Sequence, residues 1–327
     1  MNSGGSPQLD GSARRLWRQR LLSWYARNRR DLPWRRDRDP YRVWLSEIML
    51  QQTRASAVLE HYRRFLLRFP TVPKLAAARE SSVLAAWSGL GYYRRARMMH
   101  AAAKIVVKKH QGKFPSNVAG LRALPGIGRY TAAAIASIAF NVPVAVVDGN
   151  VERVLGRAFG TDFAGDLWQA AEEMLSRTRS GDFNQAMMEL GATVCLPRQP
   201  RCSVCPVFDL CATRGRLEQP RTAFRQKRRE ICCALDRRDS SIFLVQRPKH
   251  ASLMPGMWEL PEIPATNGNG EARFTLRHSI TVTEYVVRVM QSPAQSGSEG
   301  RWVQEKRVAR LPLTGLARKI LRQAQLI

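Results

Sequence analysis

Acidic residues are scarce in this chain: 26 Asp and Glu face 53 Lys and Arg across 327 residues, a formal net charge of +27. An imbalance of that size argues against an ordinary near-neutral soluble enzyme and points to a polyanionic partner, whether nucleic acid, an anionic membrane surface or a ribosomal neighbour. A long apolar run is missing too. The least polar stretch, 131–147, is Ala-rich and broken by Ser137, Asn141 and Pro143, a poor match to a helix that must cross about 30 Å of hydrocarbon. Residues 1–12 are rich in Gly and Ser and lack the apolar core of a secretory signal, so a disordered tail on a cytoplasmic protein is expected. No repeat of solenoid period occurs. Cysteine is sparse, six in all, yet Cys195, Cys202, Cys205 and Cys211 fall within seventeen residues. In a reducing compartment such a cluster reads as a metal site and not as a disulfide knot.

What is present divides into two characters. From 13 to 212 apolar residues recur three and four apart with few β-type alternations, which predicts helices near 14–28, 41–52, 55–68, 80–88, 94–109, 117–122, 129–140, 151–158, 167–177 and 184–191. A basic stretch, 213–229, reads as a connector able to lie along a phosphate backbone. From 230 to 327, short β-branched or aromatic runs at 231–235, 241–246, 257–262, 274–278 and 283–290, closed by a helix over 313–325, predict a small mixed domain.

Four features carry chemistry. Within 41–52, at 100° per residue, Val43, Trp44 and Leu50 fall around Glu47, so a carboxylate sits inside an apolar stripe, a costly place for a charge. Leu124-Pro-Gly-Ile-Gly-Arg-Tyr-Thr131 puts Gly126 and Gly128 between two helical segments. That turn can present backbone N–H groups to a phosphate oxygen, although a plain helix connection has the same look. Asp148, in Val147-Asp-Gly-Asn-Val151, precedes the next helix, where an Asp is usually a cap. Paired with Glu47 it fits N-glycosidic cleavage. That reaction needs an acid on the leaving base and an anion near the cationic sugar. The cysteines follow C-x6-C-x2-C-x5-C. With only one C-x2-C pair, that spacing suits a [4Fe–4S] cube better than a zinc site, which remains the alternative. Cys232 and Cys233 read as ordinary buried thiols.

Taken in order, these residues resemble the MutY-type adenine DNA glycosylases of the endonuclease III, helix-hairpin-helix superfamily. The likeness runs from about 21 to 211 and includes Leu32-Pro-Trp-Arg35, the 40–53 segment, Gly89-Leu-Gly-Tyr-Tyr93, the glycine hairpin, Val147-Asp-Gly-Asn150 and Phe183-Asn-Gln-Ala-Met-Met188. The resemblance implies a mainly α fold: a two-lobed helical glycosylase domain with an iron–sulfur loop over 13–212, and a small α+β MutT (Nudix)-like domain over 230–327. It implies removal of adenine mispaired with 8-oxoguanine or guanine, with Glu47 protonating the base, Asp148 stabilising the oxocarbenium-like sugar and Asn150 holding both. Arg35 and Gln185 would lie near the extruded base, Gln52 and Tyr92 would act as wedges in the stack, and Cys195, Cys202, Cys205 and Cys211 would bind the cluster. Relatives that also cut the backbone carry a Lys where this chain has Tyr130, so a monofunctional enzyme is expected. A phenol forms no imine. The C-terminal region lacks a Glu-rich Mg²⁺-binding helix, so it should bind and not hydrolyse. Where the family shows a Phe-Ser-His turn that senses 8-oxoguanine, this chain has Ile280-Thr281-Val282, of which Thr281 alone offers a hydroxyl.

The implied partner is double-stranded DNA with an adenine mispair, met by a monomer in the cytoplasm at the nucleoid, without membrane contact. Two rival readings stand beside it. One is an endonuclease III-like pyrimidine-lesion glycosylase/lyase, and the other a non-catalytic, metal-stabilised DNA-binding protein.

Overall fold

A computed structural model describes residues 10–160, 165–216, 227–264, 271–280, 283–293 and 299–327. Two compact units emerge, one of residues 1–52 with 105–221 and one of 53–104 with 222–327.

The first unit is helical. Its helices Gly11–Asn28, Pro40–Leu50, Val118–Arg122, Arg129–Phe140, Gly149–Phe159, Leu167–Met174 and Ser180–Thr193 follow the predicted periodicity closely. Their starts are chemically marked. Asp10, Asp39, Asn117, Asp148 and Asp166 each cap a helix by accepting backbone N–H bonds, and Pro40 opens the helix behind Asp39. One core joins Trp17, Leu21 and Tyr25 to Val151, Leu155, Phe183 and Leu190. Helix 167–174 ends three residues earlier than periodicity predicts; the N–H of Leu175 turns back to the carbonyl of Glu172. The Arg18 guanidinium donates to the carbonyls of Glu173 and Met174, which closes that end from outside the helix.

The second unit combines helices Ala55–Arg68, Val72–Ala76, Glu80–Trp87, Glu305–Val308 and Gly315–Gln323 with eight strands: β1 Lys227–Ala234, β2 Arg237–Arg238, β3 Ser241–Gln246, β4 Trp258–Glu259, β5 Glu262–Ile263, β6 Phe274–Ile280, β7 Thr283–Met290 and β8 Gly300–Gln304. One sheet runs β5-β1-β7-β6, with β1 and β7 parallel from Lys227↔Thr283 to Ala234↔Met290. The other is built on β3, which pairs with β2, β4 and β8. The C-terminal region is thus α+β. Alternation places Ile242, Leu244, Val287 and Val289 inward, where they pack on Ala317, Ile320 and Leu321. Cys232 and Cys233 are buried on β1.

The sequence reading treats 257–262 as one strand; the chain makes two. Pro261 cannot donate to a ladder, so β4 pairs with β3 while β5 crosses to β1. Strand β1 begins at Lys227, inside the stretch read as a connector, whose residues 217–226 lie outside the described residues. Within this unit Ser88 and Tyr93 both donate to the carbonyl of Leu313, at 2.8 and 2.9 Å, fastening helical segments to the α+β region. No helix among the described residues is long and apolar enough to cross a membrane.

Candidate active site

Glu47 lies on helix Pro40–Leu50, a helix buried along nearly its whole circumference, and is itself 6% exposed. Burial pushes its carboxyl up to about 7, and the nearby charge of Asp148 adds to that; the Tyr130 hydroxyl and the Arg35 charge oppose it. Tyr130 donates to Glu47 Oε2 at 2.6 Å and lies 3.4 Å from Met188 Sδ. Its own hydroxyl is held well above the usual phenol range by burial, then by Glu47 and Asp148. The pair therefore stays Tyr–OH with a carboxyl that is half protonated near neutrality.

Asp148 is the N-cap of helix Gly149–Phe159. Its carboxylate accepts from Asn150 N at 2.9 Å, Val151 N at 2.8 Å and Asn150 Nδ2 at 3.0 Å. Asn150 Oδ1 in turn accepts from Arg153 at 2.9 Å, and Arg153 also reaches the carbonyls of Gly191 and Cys195. The positive end of a helix suits a carboxylate, and the charge of Asp148 is among the causes that raise the Glu47 carboxyl. The cap reading and the functional reading of Asp148 are compatible, because one oxygen pair serves the helix while its charge reaches Glu47.

Gln185 is half-buried on helix Ser180–Thr193. Met188 and Glu189 follow it by three and four residues, so all three share a face. Sequence reasoning missed Glu189. Its side chain is fully buried and bonded by Arg30 at 2.7 Å and Arg35 at 2.8 Å. Burial alone would raise this carboxyl, but the hydrogen bonds from Arg30 and Arg35 outweigh it and hold it at about 2. Arg35 also lies 5.6 Å from the centroid of the Tyr25 ring. The available signal was a Glu set among the buried Ala186, Met187 and Leu190. Thus Glu47, Tyr130, Asp148, Asn150 and Arg35 meet in the first unit.

Gly126 takes φ +77°, a left-handed turn that favours glycine, between helices 118–122 and 129–140. Gly128 is the N-cap of Arg129–Phe140 and has no side chain to cap it. Gln52 is exposed with φ +55°. Tyr92, in the second unit, is 50% exposed with φ +49°. Its ring lies 5.5 Å from the Arg95 guanidinium, which donates to the carbonyls of Leu90 and Gly91. Gln52 and Tyr92 both take a left-handed backbone that non-glycine residues seldom adopt, as Gln111 and Asn141 also do. Thr281 lies outside the described residues.

The four clustered cysteines follow helix Ser180–Thr193 on one loop. Arg157 donates to Cys195 Sγ, and Cys211 donates to the Arg157 carbonyl, both at 3.3 Å. The Cys205 thiol is pushed up to about 11, chiefly by burial, then by the charges of Cys195, Cys211 and Cys202. All four therefore lie within mutual electrostatic reach. No three His, Cys, Asp or Glu among the described residues stand close enough to hold a single metal ion. Four thiols on one loop match in number the four thiolates that a [4Fe–4S] cube takes, one per iron.

Residues 45–177 match the HhH-GPD superfamily of base excision DNA repair proteins. A thermostable thymine-DNA glycosylase of known structure is 30% identical, with a TM-score of 0.59 over 64% of this chain and 100% of its own. The chain belongs to the HhH-GPD superfamily. Endonuclease III in a non-covalent DNA complex, at 22% identity and a TM-score of 0.55 over 62% of this chain and 96% of its own, has the same fold. The adenine DNA glycosylase of Homo sapiens is 40% identical over 313 residues, 76% of this chain and 57% of that protein. That of Arabidopsis thaliana is also 40% identical, over 298 residues, 75% of this chain and 47% of that protein. This HhH-GPD chain thus spans about half the length of such relatives.

Proposed function

We propose that the chain is a monofunctional adenine DNA glycosylase of base excision repair, acting on adenine opposite 8-oxoguanine or guanine in duplex DNA. One observation carries the reading: a buried carboxyl, Glu47, is held at about 7 beside a second carboxylate, Asp148, that is fixed by three donors. Glu47 then delivers its proton to the adenine ring, which turns the base into a neutral leaving group. Asp148 faces the positive charge that develops on the sugar and guides water to it, and Asn150 keeps its carboxylate aimed. Arg35 and Gln185 would border the extruded base, and Glu189 and Arg30 would hold Arg35 in place. Unstacking costs a few kcal/mol and is least at a mispair. The exposed, strained Gln52 and Tyr92 support their use as wedges. Phosphate oxygens would sit on the N–H groups of the Gly126–Gly128 turn. We assign Thr281 to sensing the partner base on sequence grounds alone.

The deciding measurement is base release from duplexes with adenine opposite 8-oxoguanine, guanine and cytosine, with alkali added to reveal abasic sites. Release from the first two and not from the third is expected. Release of oxidised pyrimidines instead would favour the endonuclease III-like alternative. Binding without any release would favour the non-catalytic one.

Tyr130 supplies no amine. Borohydride should therefore trap no protein–DNA adduct at the rate of base release, and an adduct formed at that rate would defeat the monofunctional assignment. Gly191 supports the Asp148 turn by close approach: an added Cβ would lie 2.6 Å from Asn150 Cβ and 2.9 Å from its carbonyl oxygen. Gly191→Ala must push Asn150 aside, and displacements near 1 Å cost about 10²-fold in rate. Single-turnover release should fall by that order while circular dichroism stays unchanged.

Cys195, Cys202, Cys205 and Cys211 would hold a [4Fe–4S] cluster, which when bound cross-links the loop and adds charge there. Arg157, which donates to Cys195 Sγ, would offset part of that charge. Purified protein should carry iron and acid-labile sulfide, and Cys202→Ser should lose both. Zinc in their place would refute the cluster. The C-terminal α+β region would be MutT-like in fold and would bind DNA without hydrolysing nucleotides. The enzyme would act as a monomer on DNA of the cytoplasmic nucleoid.

A further inference from the structure

The second unit holds a cavity of about 820 Å³ between the 89–94 loop, the 252–255 loop, the end of β6 and the start of helix Gly315–Gln323. Its ionisable lining is one-sided. Arg94, Arg97, Arg318, Lys319, Arg322 and His278 border it, and no Asp or Glu does among the described residues. Arg97 is paired with Glu80 at 3.0 Å, and Lys319 donates to the carbonyl of Arg277 at 2.6 Å.

Arg318 stands apart. It is only 6% exposed, its Nε donates to Ser88 Oγ at 2.7 Å, and no carboxylate lies within ion-pair distance of it among the described residues. Its electrostatic neighbours are the Tyr93 hydroxyl, which burial holds above the usual phenol range, and two cations, Arg322 and Arg64. A guanidinium taken out of water without a counter-ion is strongly unfavourable unless an anion completes it. The helix Gly315–Gln323 also opens on the cavity through Gly315, which adds the positive end of its dipole.

We infer that this cavity is a phosphate-binding site with Arg318 as its anchor, completed by Arg322 and the first turn of helix Gly315–Gln323. Planar guanidinium donors match phosphate oxygens bidentately, which an ammonium does not. The phosphate belongs either to the backbone of bound DNA or to a free mononucleotide. The first source rests on the DNA partner proposed above, but not on which base is excised.

The test uses the full chain. Inorganic phosphate, compared with chloride at equal ionic strength, should raise the unfolding temperature of the wild type, and Arg318→Gln should lose that rise. Ser88→Ala, which removes the hydroxyl that Arg318 Nε holds but keeps the charge, should retain it. Binding to a fully paired duplex is then followed against salt. One lost phosphate contact lowers the log–log slope by about 0.9, which corresponds to about fivefold weaker binding at 0.15 M salt. Arg318→Gln should show both changes and Arg318→Lys should recover most of the slope. If dAMP protects the wild type while the duplex slope is unchanged in Arg318→Gln, the phosphate is that of a free nucleotide. No protection by phosphate or dAMP together with an unchanged slope would overturn the site. So would a Ser88→Ala variant that reproduces every loss, since Arg318 would then only brace the 88–93 loop. A fully paired duplex offers nothing to excise, so failure of the glycosylase reading leaves this result independent.

Discussion

Glu47→Gln is expected to stop base release while leaving duplex binding intact and making the folded protein more stable above neutrality. General acids contribute about 10²–10⁴-fold, and single-turnover release should fall by at least that order. The stability change follows from linkage. Glu47 moves from 4.5 in an open chain to about 7 when buried. Between those values the folded state binds more protons than the unfolded one, so stability falls as pH rises through the window and is level above about 7. The shift corresponds to about 3 kcal/mol at most. A Gln has no charge to desolvate and still accepts from Tyr130, so the variant should regain a large part of that at pH 8 and none below pH 4.5. The same residue sets the alkaline side of catalysis, with wild-type release declining above about pH 7 as the acid ionises. Normal release by Glu47→Gln, or a rate that is flat to pH 9, would remove Glu47 from the acid role.

Removing Glu189 should cause the largest loss of stability of any single change considered. Its buried carboxylate is the shared counter-ion of Arg30 and Arg35, and breaking a buried pair from one side costs about 3–5 kcal/mol because the remaining charge has no partner. Glu189→Ala should fall within that range by denaturant titration of the first unit, and Glu189→Gln should cost less. The contribution is complete above pH 4.5 and disappears as pH falls toward about 2, the folded value of this carboxyl. Catalysis reports on the same network. With Glu189 neutral, Arg35 is uncompensated and lowers the Glu47 carboxyl further, so the alkaline limb of base release should move to lower pH in Glu189→Gln. An unmoved limb would mean that Arg35 does not act on Glu47, whatever the stability result.

How far the chain could be read in advance varied by element for physical reasons. Helix starts were legible because Asp39, Asn117 and Asp148 carry their own capping chemistry. The burial of Glu47 was legible because helical periodicity puts it between apolar neighbours. Strand β8 was not. Only Trp302 and Val303 in it favour a strand, and its place comes from pairing with β3, Phe243 against Trp302, a contact distant in sequence. Glu189 was passed over for the same reason: its partners Arg30 and Arg35 lie more than 150 positions away.

Local sequence by itself determined the helical block, its capped starts, the positive charge, the clustered cysteines and the isolated acid on an apolar stripe. Each follows from neighbours a few residues apart. Only the tertiary structure decided which groups share an environment. It set the carboxyl of Glu47 near 7 through burial and the charge of Asp148, held Glu189 near 2 through two arginines, and left Arg318 buried with no counter-ion among the described residues. Desolvation and charge pairing depend on which distant side chains the fold brings together, and no local pattern encodes that.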